Sequence, residues 1–154
     1  MKIHMDIISG FLGAGKTTFI NSLISESKVE GERICIFQLE EGKEKIIESS
    51  NKNYQIKTKI IREIKELKEE MIFSITEFNP HRIIIEYNGT WDLNELFNML
   101  NNIPQLHFTL ISNSLYNTFK IFEISNPLHN IIPKYHIYLK KLSFKYIKLI
   151  YLLY

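Results

Sequence analysis

Cysteine is nearly absent from these 154 residues: Cys35 is the one example, which excludes a disulfide framework and any multi-thiolate metal cage within a single chain. Carboxylates are missing from one end. Nothing after Glu123 is acidic, while Lys134, Lys140, Lys141, Lys145 and Lys148 follow it, so a chain of formal charge +2 divides into residues 1–123 at −3 and a tail at +5. A balance this close to neutral gives no reason to expect nucleic acid as the partner. Long apolar runs are also lacking: none approaches the ~20 residues needed to span a bilayer, and the first residues do not follow the charged, apolar, small-residue order of a signal peptide. No transmembrane segment is expected, and the expected location is the cytoplasm. What is present is 45% hydrophobic and 23% charged, a composition that can bury a core, and the length suits one globular unit.

The apolar segment Ile3 to Ser9 ends at Gly10 and gives way to Phe19, Ile20, Leu23 and Ile24 at helical spacing, which reads as strand, glycine-rich turn, helix. Arg33 to Leu39 reads as a buried strand, and the polar stretch Glu40 to Gln55 as a long loop. Between Lys57 and Phe78, Ile60, Ile64, Leu67, Met71, Ile75 and Phe78 recur every three or four positions, the pattern of an amphipathic helix, which Asn79-Pro80 stops. Arg82 to Glu86 is a short β-branched strand of the kind found inside parallel sheets. Asp92 opens a further helix with Glu95 three residues on, and Leu106 to Ser112 is a fourth strand. Leu115 to Phe122 is read as a helix, and Tyr138 to Tyr154 is rich in Lys, Leu, Ile and Tyr. Strand alternating with helix predicts an α/β fold of three layers around a mainly parallel sheet. Residues 1–124 form the expected globular domain and residues 125–154 a basic tail rich in Lys, Leu and Tyr.

Gly10-Phe-Leu-Gly-Ala-Gly15-Lys16-Thr17 matches G-x-x-x-x-G-K-[ST] at every fixed position. The residue types have a reason. Gly10, Gly13 and Gly15 allow backbone conformations closed to other residues, so the N–H groups of the loop, Ala14 included, can converge on phosphate oxygens. The helix that starts near Lys16 adds unpaired N–H groups, through Thr17 and Thr18, and its positive dipole end. Lys16 is expected to reach the β- and γ-phosphates and the Thr17 hydroxyl to hold Mg²⁺. Glu86 closes a strand three residues before Gly89, and ligands of parallel sheets gather beyond the carboxyl ends of strands. Its carboxylate is therefore expected to hold Mg²⁺ or its water, and the Gly89 N–H to meet a γ-phosphate.

Ser9 to Asn21 (SGFLGAGKTTFIN) together with Arg82 to Gly89 (RIIIEYNG) resembles the CobW/HypB/UreG-type P-loop GTPases, whose members assist metal insertion or cobalamin metabolism. The Phe-Leu-Gly-Ala-Gly interior and the Glu-x-x-Gly form of the second motif make the match specific, and it covers about residues 1–112. The resemblance implies GTP as the nucleotide, Mg²⁺ as its ion, Lys16 and Glu86 as the residues that carry catalysis, and a protein client as a partner. The family's first switch is an Asn-Glu-x-Gly segment; Leu39-Glu40-Glu41-Gly42 stands in its place, so Glu40 joins Thr17 and Glu86 as an expected Mg²⁺ contact while Leu39 replaces the Asn. Two family features are missing. No Cys-x-Cys-Cys lies between Gly42 and Lys57, and no Asn-Lys-x-Asp, which would select guanine, follows a later strand. The sequence ends about where that segment belongs, which implies a shortened member or a disrupted reading frame.

Hydrolysis of a nucleoside triphosphate is the first reading. A nucleotide-binding or vestigial protein that turns nothing over and acts through a partner is the second. A small-molecule kinase ranks third, because Arg33, Arg62 and Arg82 are the only arginines and none sits in a plausible lid. Cys35, between Ile34 and Ile36, is expected to be an inert core residue. The histidines at 4, 81, 107, 129 and 136 show no metal-ligand spacing. Trp91 reads either as a cover for a nucleotide or as a packing residue. From Leu139 onward Leu142, Tyr146, Leu149, Ile150 and Leu153 share one helical face, which predicts a basic amphipathic helix that closes a flank of the sheet in the first reading, and binds an acidic partner or lies on an anionic membrane surface in the others.

Overall fold

The computed structural model describes residues 3–26, 30–47, 54–100, 103, 106–114, 118–124 and 137–139. In chain order the elements are β1 (Ile3–Gly10), α1 (Lys16–Glu26), β2 (Glu32–Gln38), β3 (Tyr54–Ile60), α2 (Ile64–Phe78), β4 (Arg82–Asn88), α3 (Leu93–Leu100), β5 (Leu106–Ser114), β6 (Thr118–Ile124) and β7 (Ile137–Leu139). They build one sheet of order β3-β2-β4-β1-β5-β6-β7. The first five strands in that order are parallel, and β6 and β7 are antiparallel additions at one edge.

Because side chains alternate along a strand, each central strand feeds two cores. Met5, Ile7, Cys35, Phe37, Ile83, Ile85 and Tyr87 pack with Leu67 and Met71 of α2 and with Leu96, Phe97 and Leu100 of α3. Ile8, Ile34, Ile36, Ile84 and Ile111 pack on the opposite face with Phe19, Ile20 and Ile24 of α1. This is the three-layer α/β fold expected. Side chains such as Ile84, Phe37 and Met71, all fully buried, each stabilise by about 1.5–3 kcal/mol. The α1 face also carries a polar feature: the Arg82 Nε donates to Asp6 at 2.7 Å, and His4 lies 3.0 Å from the same carboxylate.

The α2 helix ends where expected. Asn79 takes the left-handed conformation (φ 46°, ψ 60°), and Arg33 Nε donates to the carbonyls of Phe78 and Asn79 at 3.1 and 2.8 Å, which satisfies acceptors that a helix end leaves without partners. Asp92 Oδ1 accepts the Asn94 N–H at 2.9 Å, capping α3.

Three expectations are corrected. The helix expected from Lys57 begins only at Ile64, and residues 54–60 are an edge strand that takes in the end of the expected loop. Its alternation of Ile56, Thr58 and Ile60 with lysines is a strand pattern, but Ile60 also stands four residues before Ile64 and so extended the helical period by coincidence. Residues 118–124, within the expected helix 115–122, form a strand that pairs with β5 from Phe108↔Ile124 to Ser114↔Thr118. Thr, Phe and Ile dominate that stretch, a composition that suits a sheet. Leu139, where the amphipathic helix was expected to begin, closes β7, which pairs with β6; residues 140–154 lie outside the described residues. Among the described residues no helix is long and apolar enough to cross a membrane.

Candidate functional site

Parallel alignment brings the C-terminal ends of β1, β2 and β4 to one edge, where Gly10 stands beside Asn88 and Gln38 beside Glu86. The loop from β1 to α1 wraps this edge. Gly13 and Gly15 sit at φ 77° and 82°, left-handed positions that admit glycine at little cost. The Ala14 N–H reaches Phe11 O at 3.1 Å and the Phe19 N–H reaches Gly15 O at 2.9 Å, so the turn runs directly into the first turn of α1. Phe11 and Leu12 at its tip are 52% and 66% exposed.

Lys16 is only 4% exposed. Its ammonium folds back under the loop and donates to Gly10 O at 2.8 Å, Phe11 O at 3.0 Å and Glu40 Oε2 at 2.5 Å. Glu86 is 3% exposed, and both its oxygens are occupied: Thr17 Oγ1 donates to Oε1 at 2.6 Å and Gln38 Nε2 to Oε2 at 2.7 Å. Glu86 lies on the α1 face because it stands two residues after Ile84, and Gln38 follows Ile36 in the same way. Gly89 presses its backbone against the loop, where an added Cβ would stand 2.5 Å from Gly10 O.

The segment after β2 runs along α1. The Leu39 N–H donates to Glu86 O at 2.9 Å, Thr18 donates to Glu44, and the Asn21 amide holds the chain at two points, donating to Lys45 O at 3.0 Å and accepting from the Ile47 N–H at 2.9 Å. A cleft of about 460 Å³ lies between α1 and this segment, lined by Thr18, Asn21, Ser22, Ser25, Glu44, Lys45 and Ile47. A Cβ on Gly42 would come to 3.9 Å from Thr17 Oγ1.

Gly10, Gly13, Ala14, Gly15, Lys16, Thr17, Thr18, Glu86 and Gly89 thus meet at one edge. Glu40 arrives there too, but its carboxylate answers Lys16 rather than joining Thr17 and Glu86. The Thr17 hydroxyl and the Glu86 carboxylate are hard oxygen donors side by side, a pair that suits Mg²⁺ held through one or two protein oxygens. Among the described residues no three His, Cys, Asp or Glu side chains gather as a metal cage. Sequence reasoning missed Gln38 and Asn21. The signal for Gln38 was period two, since Ile34, Ile36 and Gln38 share a face with Glu86; Asn21 carried no comparable signal, because its partners are backbone atoms of an irregular segment.

Two residues settle beside the site rather than in it. Trp91 packs edge-on against Tyr87, with ring centroids 6.2 Å apart at 90°, on the α2 and α3 side of the sheet. Burial, assisted by the Glu95 and Asp92 carboxylates, pushes the Tyr87 hydroxyl up to about 12, and it donates to Asp92 O at 2.8 Å. Cys35 is wholly buried, and burial raises its thiol pKa by more than the hydrogen bond to Ser74 lowers it.

Comparison with known proteins agrees with this geometry. The family model for the CobW/HypB/UreG nucleotide-binding domain matches residues 4–116. No curated protein and no solved structure matches the chain. The chain belongs to the CobW/HypB/UreG family, and residues 4–116 are its nucleotide-binding domain.

Proposed function

We propose that this chain binds a Mg²⁺-nucleoside triphosphate, GTP before others, and hydrolyses its terminal phosphate. The observation that carries the reading is the convergence of Lys16, Thr17, Glu86 and Gly89 on the loop from β1 to α1, at the carboxyl edge of a parallel sheet. The loop N–H groups and the first turn of α1 supply donors and positive potential for the β- and γ-phosphates. Lys16 adds a cation beneath them, and Gly89 brings its N–H to the same edge. Thr17 and Glu86 would hold Mg²⁺, which when bound neutralises phosphate charge. Glu86 is in turn oriented by Gln38, so its carboxylate is fixed before any ligand arrives. Hydrolysis in this reading relies on stabilising the charge that develops on the γ-phosphate, the largest contribution such sites make.

Calorimetric titration of the full chain and of Lys16→Ala with GTP and GDP tests the binding. Loss of a charge-assisted contact costs about 1.5–3 kcal/mol, or roughly ten- to hundredfold in affinity; equal affinities would refute the assignment. Phosphate release followed over hours with GTP separates hydrolysis from binding without turnover.

A further inference from the structure

An ammonium group has three donors, and all three of Lys16 are engaged: by Gly10 O, Phe11 O and the Glu40 carboxylate. We propose that Glu40 is an internal anion standing on Lys16 where a nucleotide phosphate would bind, so that it determines which phosphate ligands the site accepts. This rests on the reading above, that the loop takes nucleotide phosphates.

A carboxylate oxygen and a phosphate oxygen offer Lys16 the same charge-assisted hydrogen bond. Lys16 is almost fully buried, and a buried ammonium without a counter-charge is costly, so Glu40 gives the ligand-free site a stable arrangement. The carboxylate is held there from both sides. Before it, the Leu39 N–H is bonded to Glu86 O; after it, Thr18 engages Glu44 and the Asn21 amide pins Lys45 and Ile47 to α1.

A ligand that exchanges one oxygen for the Glu40 oxygen gains little, since it replaces a bond of equal kind. One with two adjacent phosphates also meets the positive N-terminal end of α1, and so displaces the carboxylate. The site thereby prefers diphosphate and triphosphate ligands over inorganic phosphate. A bound ligand also lifts the start of the segment that Asn21 and Thr18 hold. Affinity is lowered by the share of molecules in which Glu40 occupies Lys16.

The test is calorimetric titration of the full chain with GDP, pyrophosphate and inorganic phosphate in EDTA, using the wild type, Glu40→Gln, Glu40→Ala and Glu41→Gln. Glu41→Gln removes the same charge from a neighbouring exposed position. With the competing bond gone, both Glu40 variants should bind GDP and pyrophosphate about ten- to hundredfold more tightly and should narrow the preference over inorganic phosphate, while Glu41→Gln should match the wild type. Wild-type binding with no gain in either Glu40 variant overturns the proposal and leaves the nucleotide reading intact. An equal gain in Glu41→Gln also overturns it, because general charge would then explain the effect. GDP binding by none of the four proteins, with or without Mg²⁺, removes the nucleotide reading and the proposal with it.

Discussion

Gly89 and Gly10 touch backbone to backbone: a Cβ on Gly89 would lie 2.5 Å from the Gly10 carbonyl oxygen and 2.6 Å from its carbon. That same oxygen accepts a bond from Lys16. The turn after β4 is thus seated directly on the phosphate loop, which explains why a residue without a side chain stands there.

Gly89→Ala is therefore expected to displace the loop, since the atoms it meets are main chain and cannot rotate aside. Overpacking of this kind costs about 1–3 kcal/mol. Denaturant midpoints and GDP titration should both register the loss, and an unchanged midpoint together with unchanged affinity would show that the turn relaxes without cost.

Gln38→Leu should weaken Mg²⁺-dependent nucleotide binding although Gln38 is not placed against the phosphates. Removing its amide leaves Glu86 Oε2 buried without a partner, at a cost of about 1–3 kcal/mol. Titrating Mg²⁺ at a fixed GDP concentration checks it: the half-saturating Mg²⁺ concentration should move, and a curve that overlays the wild type would deny Gln38 a role in orienting Glu86.

Discrimination between bases should be weak. The sequence holds no Asn-Lys-x-Asp, and a site without the polar group that reads a base forfeits the large rejection such groups provide. ATP, ITP and GTP competing for one fluorescent analogue should differ by no more than about tenfold. A GTP preference of a thousandfold would reveal another guanine-reading group.

Tyr87 makes stability depend on alkaline pH. Its pKa is raised in the folded chain from 10 to about 12, so the unfolded chain releases this proton first. The contribution is present in full below pH 10 and is lost as pH climbs from about 10 to 12. Melting temperatures of the wild type and Tyr87→Phe, compared across that interval, should converge as pH rises; a constant difference would show that Tyr87 titrates normally.

Cys35 should resist modification. Burial keeps the thiol protonated and out of reach, and the thiolate is the reactive form. A colorimetric disulfide reagent should react slowly with the native protein and rapidly in denaturant. Fast reaction of the native chain would mean that β2 opens readily.

The phosphate loop was legible in the sequence because everything that defines it is local. Eight consecutive residues set the turn, Gly13 and Gly15 permit its left-handed positions, and the apolar spacing after Thr17 requires a helix. Glu86 and Gly89 were legible for a related reason, since a β-branched strand ending in Glu-x-x-Gly already says which sheet edge they occupy. The Lys57 to Ile60 stretch shows where local pattern stops deciding: its residues satisfy a helical and a strand period together, and only the open edge of β2, which needs a partner, selects the strand. The same holds at 118–124, where the edge of β5 made the choice. Above all, tertiary structure alone decided that Gln38 meets Glu86, that Asn21 holds the segment after β2 and that Glu40 lies on Lys16. Those contacts join residues 24 to 48 positions apart, and they follow from strand register and from the path of an irregular segment, neither of which repeats along the chain with a period that a sequence can display.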